Sequence, residues 1–191
     1  MEKEYWKGGN MLYPVPAVMV SCQKENEKPN IITVAWCGTI CTNPPMAYIS
    51  VRPERYSYEI IKESKEFVIN LVTRELTKAC DYCGVKSGRD IDKFKKLNLT
   101  PAKSCVVNAP SILESPVNIE CRVKDILELG SHHMIIADVV KVGIDPKFIN
   151  KKGKLCLNKA DLITYSHGDY YALGDYIGNF GYSVKKTIND N

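Results

Sequence analysis

The chain has 191 residues, of which 45% are hydrophobic and 25% are charged, and its formal net charge is +4. These proportions are ordinary for a soluble globular protein, and the length predicts a single domain over residues 1–191. The near balance of charges argues against a nucleic-acid partner, because counterion release needs a concentrated basic face.

Membrane and export signals are not found in the sequence. No apolar run approaches the roughly 18 residues that a membrane helix needs, and charges interrupt residues 1–7, unlike a signal peptide. We therefore expect a cytoplasmic protein with no membrane partner. Its eight cysteines are expected to be reduced, because disulfides belong mainly to exported proteins.

The first quarter of the chain carries short β-branched runs separated by turn signals. The runs cover residues 15–22, 31–37 and 47–52, and the breaker Asn43-Pro44-Pro45 precedes the last of them. Short apolar runs divided by turns are typical of antiparallel strands.

Helical signals follow the third run. Ser57 is a favourable N-cap for a helix over residues 58–63, and Gly84 is a favourable C-cap for a second helix. The elements predicted before residue 100 are then a strand over 66–72, the second helix over 74–83 and a short third helix over 90–97.

Two longer strands are predicted over residues 117–127 and 133–142, joined by a hairpin connection. In the first, Ile119, Cys121 and Val123 alternate with charged side chains, which is the pattern of a half-buried edge strand. Because strands and helices do not alternate regularly, the sequence favours a mainly β barrel with helical decoration over a doubly wound parallel sheet.

A candidate phosphate site lies where the third strand leads into the first helix. Residues 50–57 supply two arginines and end at a helix N-terminus. Free amides, the helix dipole and a guanidinium together suit a phosphate dianion. A plain helix cap with solvated arginines would show the same residues, so that spacing alone leaves both interpretations open.

A candidate site for a flat ring lies on the second predicted strand. Thr33, Ala35 and Cys37 are predicted on one face, with Val34 and Trp36 on the other. Small side chains let a flat ring approach the backbone. A strand that packs against a helix would show the same pattern.

Cys80 and Cys83 suggest an alternative zinc or thiol function. Reactive C-x-x-C pairs sit at a helix N-terminus, whereas this pair lies at the C-terminal end of the predicted helix. Zinc needs about four ligands, and no second pair completes a set. We therefore expect no metal site.

Common catalytic signatures are missing from the sequence. It contains neither dinucleotide-binding G-x-G-x-x-G nor a P-loop, and no nucleophile elbow. His132, next to a glycine turn, could be a proton donor, a cofactor contact or an exposed side chain.

Short motifs follow one another in a definite order from Pro14 to Tyr182. They are Pro14-x-Pro16, Asn30-x-x-Thr33-x-Ala35-Trp36, Pro44-Pro45, Ser50-Val51-Arg52, Ser87-Gly88-Arg89-Asp90-x-Asp92-Lys93-Phe94, Ala109-Pro110, Glu114-Ser115, Glu120-Cys121, Gly130-Ser131-His132 and a tail of glycines and tyrosines. Their joint order and spacing resembles the flavin reductase-like family of FMN-binding split barrels, closest to its flavoredoxin branch.

The resemblance implies a mainly β, Greek-key split barrel with two to three peripheral helices that forms a homodimer with FMN near the subunit interface. It also implies an FMN-dependent oxidoreductase or electron-transfer protein, whose partner is NADH, NADPH or a redox protein. A non-enzymatic protein that stores or senses FMN would share the fold and the site, so this alternative stays open.

The resemblance also implies roles for individual residues. The flavin ring would lie along Asn30, Thr33, Val34, Ala35, Trp36 and Cys37. The ribityl chain and phosphate would lie near Ser50, Val51, Arg52 and Ser57. The residues that would close over the cofactor are Ser87, Gly88, Lys93 and Phe94, with Lys93 neutralising the phosphate or the reduced flavin. His132 would be the catalytic residue beside the flavin.

One departure from the family pattern concerns the hairpin. NAD(P)H-dependent flavin reductases commonly carry Gly-Asp-His there, whereas this chain has Gly130-Ser131-His132. The resemblance to flavoredoxins implies a tightly held FMN that carries electrons, rather than a freely exchanging flavin.

Overall fold

The computed structural model describes residues 1–184, so the last residues of the domain predicted over 1–191 lie outside it. Its strands are β1 (Val15–Pro16), β2 (Val18–Cys22), β3 (Asn30–Val34), β4 (Cys37–Thr42), β5 (Pro45–Val51), β6 (Glu66–Leu71), β7 (Pro101–Ala102), β8 (Ser111–Ile112), β9 (Val117–Glu128), β10 (His133–Ile144), β11 (Ile163–Ser166) and β12 (Asp169–Ala172). Its α-helices are α1 (Tyr56–Ser64), α2 (Thr77–Val85) and α3 (Lys93–Leu97). Among residues 1–184, none of the helices combines the length and apolarity needed to cross a membrane.

A seven-stranded antiparallel sheet in the order β3-β2-β6-β9-β10-β5-β4 forms the body of the protein. Its two edge strands, β3 and β4, are joined only by Ala35 and Trp36. The sheet must therefore curl until its edges meet at this link, and the Ser50 amide donates to the Trp36 carbonyl there at 2.8 Å. The predicted mainly β, split-barrel fold is confirmed. A smaller sheet, β1-β11-β12, lies beside the barrel.

Two apolar cores follow from the alternation of side chains along the strands. Val20, Ile49, Phe67 and Ile135 point into the first core, which α1 joins through Tyr58 and its isoleucines. The opposite faces of β2 and β3 form a second core with α2 and α3, which includes Met19, Ile31, Cys80, Cys83 and Phe94. Each fully buried large side chain contributes roughly 1.5–3 kcal/mol, so that both sides of β2 and β3 are firmly fixed.

The segment 31–37 is not the single strand that its β-branched residues predict. The chain bends at Ala35 and Trp36, because it passes there from one edge of the sheet to the other. Thr33 and Cys37 consequently lie on different strands, and the prediction of one shared face is wrong.

Both predicted helix caps are also wrong. Helix α1 begins at Tyr56, so that Ser57 lies inside the first turn and Arg55 occupies the N-cap position without a side-chain cap hydrogen bond. Gly84 lies inside α2, which ends at Val85 with Lys86 as its C-cap. A Cβ on Gly84 would come within 3.3 Å of the Thr33 Cβ, so the glycine serves the packing of α2 on β3 instead.

The predicted hairpin exists as β9 and β10, but β9 is an interior strand and not an edge. Glu120 is only 3% exposed although it was expected to face solvent. Its carboxylate accepts hydrogen bonds from the amides of Cys105, Val106 and Val107 at 2.7–3.2 Å. The loop at residues 105–107 therefore covers Glu120 and provides hydrogen-bond donors to its buried carboxylate.

Candidate functional site

A cavity of about 300 Å³ opens where the two edges of the sheet meet. Its lining comes from the end of β3, the link to β4, the end of β5 and the small sheet. The lining residues are Tyr13, Ala17, Ile32, Thr33, Val34, Ala35, Trp36, Ser50, Val51, Arg52, Arg55, His132, Tyr165 and Tyr170. Ala35 and Trp36 lie outside the regular strands. The cavity therefore adjoins backbone groups that are not part of the regular hydrogen-bond ladder of the sheet. We call it the ring cavity.

Aromatic side chains flank the ring cavity on two sides. Trp36 contacts His132 edge to face, with ring centroids 4.6 Å apart. On the other side Tyr165 packs with Tyr170 at 5.5 Å and with Tyr13 at 6.2 Å. A planar, largely apolar group between these walls would make favourable aromatic contacts.

His132 is the titratable imidazole of the ring cavity. Its Nδ1 lies 3.0 Å from the Ser131 hydroxyl. Partial burial lowers its pKa, and the nearby positive charges of Arg52 and Arg55 act in the same direction. The neutral imidazole is therefore favoured at neutral pH, where it can exchange a proton with a bound molecule.

A second, smaller cavity of about 30 Å³ adjoins the ring cavity. Ile32 and Arg55 line both, so that the two spaces are neighbours. The lining residues of the small cavity are Ile32, Arg55, Tyr56, Ser57, Cys83, Lys86, Ser87, Gly88 and Lys93. The volume exceeds what one water molecule requires and suits a compact anion. We call it the anion cavity.

The anion cavity lies at the N-terminus of α1. Arg55 occupies the N-cap position, and the helix dipole gives this end of α1 a partial positive charge. The Tyr58 amide is already engaged, because it donates to the Arg55 carbonyl at 2.9 Å. Lys86 adds a second exposed cation, and two cations beside a helix N-terminus suit an anion.

Gly88 lets the loop after α2 come close to the barrel. A Cβ there would lie 2.6 Å from Asn30 Cγ, which no side chain tolerates. Asn30 itself is fixed, because its Nδ2 donates to Ser57 Oγ at 2.8 Å. The backbone at Gly88 thus closes the anion cavity where any other residue would fill the space.

Lys93 lines the anion cavity but is also a structural residue. It is 3% exposed, and its Nζ donates to the carbonyls of Ile31 at 2.6 Å and Cys83 at 2.9 Å. Burial lowers the pKa of this ammonium. Two of its three N–H groups are therefore committed to joining β3 to the end of α2.

The structure brings together most of the residues that the sequence predicted. Those at the ring cavity are Thr33, Val34, Ala35, Trp36, Ser50, Val51, Arg52 and His132, and those at the anion cavity are Ser57, Ser87, Gly88 and Lys93. Asn30 lies behind Ser57. Cys37 and Phe94 are placed elsewhere, because Cys37 is buried in the first core and Phe94 in the second.

The arginine positions differ from the prediction. Arg52 lines the ring cavity and pairs with Glu54 at 3.3 Å. Arg55 lines both cavities and is thus better placed for a phosphate. The sequence analysis also missed Lys86, which could have been identified from its place next to Ser87-Gly88. It missed Tyr13, Tyr165 and Tyr170 as well, and no local sequence pattern marks these three residues.

The geometry disfavours a thiol or zinc function for Cys80 and Cys83. Both are buried, and burial raises the pKa of Cys80 to about 12 and that of Cys83 to about 11. Both side chains are therefore protonated at neutral pH and are not reactive thiolates. Within residues 1–184, no cluster of three or more His, Cys, Asp or Glu side chains could hold a metal ion.

Comparison with known proteins gives consistent matches. The model of the flavin reductase like domain matches residues 10–174. The solved structure of the flavoredoxin of Desulfovibrio vulgaris (Miyazaki F) superposes with a TM-score of 0.89 at 30% identity, covering 96% of this chain and 100% of that one. The flavoredoxin from Methanosarcina acetivorans gives 0.85 at 26% identity, with the same coverage. An uncharacterised protein of Archaeoglobus fulgidus is 33% identical over 157 residues, which are 82% of this chain and 86% of that protein.

Proposed function

This chain belongs to the flavin reductase-like family, and we propose that it is a single-domain, FMN-binding oxidoreductase or electron-transfer protein of the flavoredoxin type. One observation carries the proposal, namely that a cavity with aromatic walls lies next to a small cavity lined by cations. Ile32 and Arg55 line both cavities. A planar ring that bears a short chain and a terminal phosphate fits this shape.

The residues present fit FMN at both ends. The ring would lie between Trp36 with His132 and the tyrosine wall, and the phosphate would take charge-assisted hydrogen bonds from Arg55, Lys86 and the first turn of α1. A Cβ at Gly88 would collide with Asn30, so that only glycine lets the loop lie this close to the barrel. When bound, FMN would supply reversible hydride and electron transfer.

The chain's own residues would bind and orient the flavin and exchange protons with it. Tyr13, Tyr165 and Tyr170 cover one side of the ring cavity and limit the access of water. His132, whose neutral form is favoured, is proposed as the catalytic residue that exchanges a proton at that cavity. Flavoredoxins match over 96% of this chain, which supports FMN held as a resident electron carrier that NADH, NADPH or a redox protein reduces.

A homodimer is proposed because two extended segments carry exposed aromatic side chains. Trp6 is 79% exposed and Phe180 is 105% exposed, on segments with no regular secondary structure. Burying these aromatic side chains against another chain would be favourable, and a second copy of the chain is the proposed occupant. We expect sedimentation to show a dimer and the double substitution Trp6→Asp with Phe180→Asp to shift it toward monomer. A wild-type monomer would contradict the dimer.

The proposed function is tested by the absorbance spectrum of the purified protein, followed by anaerobic titration with NADH and NADPH. We expect a flavin spectrum, or its appearance on adding FMN to colourless protein. Bleaching by a nicotinamide on a catalytic timescale supports a reductase, and bleaching only by a reduced redox protein supports a carrier. A protein that binds FMN but is reduced by neither would favour the alternative of an FMN store or sensor. Failure to bind FMN would overturn the proposal.

A further inference from the structure

One loop concentrates positive charge at a place that the proposed flavin site does not use. Residues 146–160, which we call the lysine loop, contain no acidic residue and five exposed lysines, namely Lys147, Lys151, Lys152, Lys154 and Lys159. The formal net charge of the whole chain is only +4, so that the rest of the chain carries no net positive charge. Charge that is concentrated in this way attracts acidic molecules to one side of a protein.

Most of these lysines have no acidic partner. Lys147 pairs with Asp145 at 2.9 Å, whereas Asp161, which follows the loop, is engaged by Arg74 at 2.8 Å. In the part of the chain that the structure describes, the other four lysines form no ion pair. Their ammonium groups are therefore available to the carboxylates of another molecule.

The backbone of the lysine loop is held in one shape by its own hydrogen bonds. The side-chain oxygen of Asn150 accepts from the amides of Lys152 and Lys154 at 2.9 and 3.0 Å. The Cys156 amide donates to the Phe148 carbonyl at 2.7 Å, and Phe148 is only 9% exposed, so that it anchors the base of the loop. The lysines at the tip are thus presented on a preformed backbone, and a partner that binds them orders little of the chain.

The lysine loop leads directly into a wall of the ring cavity. Ile163 begins β11 four residues after Lys159, and its amide donates to the Val72 carbonyl at 3.1 Å. Tyr165, on the same strand, lines the ring cavity. Because six residues separate Lys159 from Tyr165, their Cα atoms are at most about 22 Å apart. A protein that docks on the loop therefore also lies close to the proposed flavin site.

The other side chains of the loop favour a protein over a nucleic acid as its partner. Ile149 and Leu155 pair in an isolated β-bridge and are 41% and 36% exposed. Protein interfaces combine apolar contacts with a charged rim, whereas phosphate groups gain nothing from aliphatic side chains. The ring of Phe148 is buried, and Lys147 Nζ lies 4.9 Å from its centroid. The loop therefore offers no free ring on which a base could stack.

We propose that the lysine loop is the docking surface for an acidic electron-carrier protein, an inference that rests on the proposed redox function. The lysines would steer the carrier by long-range attraction, and Ile149 and Leu155 would make the apolar contact. Interfaces between redox proteins are small, and their association depends strongly on charge. The probe for the test is a ferredoxin of net negative charge, because it is acidic and carries one electron.

The first measurement is the dissociation constant of the oxidised ferredoxin, by calorimetric titration of the FMN-loaded protein at an ionic strength of about 0.1 M. Charges more than about 10 Å apart are largely screened under this condition. The loop variant is the triple substitution Lys151→Gln, Lys152→Gln and Lys154→Gln. Because each exposed ion pair contributes modestly, we expect the three substitutions together to weaken binding about tenfold.

A matched control is available at the opposite end of β6. It is the triple substitution Lys62→Gln, Lys65→Gln and Lys124→Gln, which removes the same charge from three exposed lysines that line one groove. Lys65 immediately precedes β6, whereas the lysine loop leads to Val72, just past its end. We expect the control to change the dissociation constant less than about twofold, because roughly 20 Å of strand separates the two places.

The second measurement is the rate at which reduced ferredoxin reduces the bound flavin without oxygen. Two ferredoxin molecules each give one electron and the solvent gives two protons, so that one FMN is fully reduced and both ferredoxins are oxidised. At limiting ferredoxin, the loop variant should react about tenfold more slowly than the wild type, following its weaker binding. This difference should disappear at about 1 M salt, where the screening length is about 3 Å.

The proposal is overturned if the ferredoxin does not bind, or if the two triple variants bind it equally while thermal unfolding shows that both are folded. It is also overturned if the loop variant instead loses binding to a single-stranded oligonucleotide or to vesicles of anionic lipid, with ferredoxin binding unchanged. A chain that does not take up FMN refutes the proposed function. Because ferredoxin binding is also measurable on cofactor-free protein, the two failures are distinguishable.

Discussion

The ring cavity and the anion cavity are built in different ways. Contiguous residues supply most of the anion cavity, namely Arg55 to Ser57 at the start of α1 and Lys86 to Gly88 after α2. The ring cavity is assembled from distant parts of the chain, because Tyr13 and Tyr165 meet only where β1 pairs with β11. Short local segments of the sequence therefore form most of the anion cavity, whereas the ring cavity forms only when the barrel closes.

Because of this difference, we expect the two cavities to contribute to ligand affinity in different ways. Charge-assisted hydrogen bonds at the anion cavity should supply most of the phosphate-dependent affinity. Aromatic contacts at the ring cavity should act on any flavin, with or without a phosphate. Riboflavin, which lacks the phosphate, is therefore the ligand that separates the two regions.

The largest effect is expected for Arg55→Ala. Removing a charge-assisted partner of the phosphate should weaken FMN by about 1.5–3 kcal/mol, and riboflavin should bind as before. Fluorescence titration with both ligands measures this. The matched control, Arg52→Ala, should lose much less FMN affinity because Arg52 lines only the ring cavity. Equal losses in the two variants would show that Arg55 has no special role at the phosphate.

Gly88→Ala should also damage the anion cavity. The new Cβ would collide with Asn30, and the overpacking should weaken FMN by about 1–3 kcal/mol as the loop moves away. Gly174→Ala is the control, since a Cβ there meets nothing within 4 Å. A Gly88→Ala variant with an unchanged FMN dissociation constant would mean that the loop at Gly88 does not close on the cofactor.

At the ring cavity, Tyr165→Leu should weaken FMN and riboflavin equally, by about 0.5–1.5 kcal/mol, because it removes an aromatic contact and no charge. Titration of both flavins checks the equality. Tyr171→Leu is a matched control, since this tyrosine is exposed and lies outside the ring cavity. A loss of affinity for FMN but not for riboflavin would indicate that Tyr165 acts on the phosphate and not on the ring.

The same contrast explains what the sequence could predict. The order of β-branched runs and helical signals predicted a mainly β barrel with helical decoration. The split form of the barrel, and a loop at Ser87-Gly88 that closes over the cofactor, came from the resemblance to a known family. The tyrosine wall could not be predicted, because it depends on contacts such as the Thr164 hydroxyl donating to the Val15 carbonyl across 149 residues. The bend at Ala35 and Trp36 was missed for a related reason, since only the meeting of the sheet edges requires it.

The smallest expected effect tests whether two side chains of the ring cavity, Arg52 and His132, are electrostatically coupled. After burial, the positive charge of Arg52 is the next cause that lowers the pKa of His132, so Arg52→Ala should raise that pKa. NMR titration of the His132 ring in cofactor-free protein measures this, with the exposed His167 as an internal control.

The lowered pKa of His132 also makes the stability of the protein depend on pH. Because the folded-state pKa lies below the unfolded one, the unfolded chain binds this proton more readily, and the free energy of unfolding falls as the pH drops through about 6.5. This decrease should be smaller in Arg52→Ala and lost in His132→Gln. An unchanged His132 pKa in Arg52→Ala would mean that solvent screens the two side chains from each other and that the ring cavity titrates independently of this arginine.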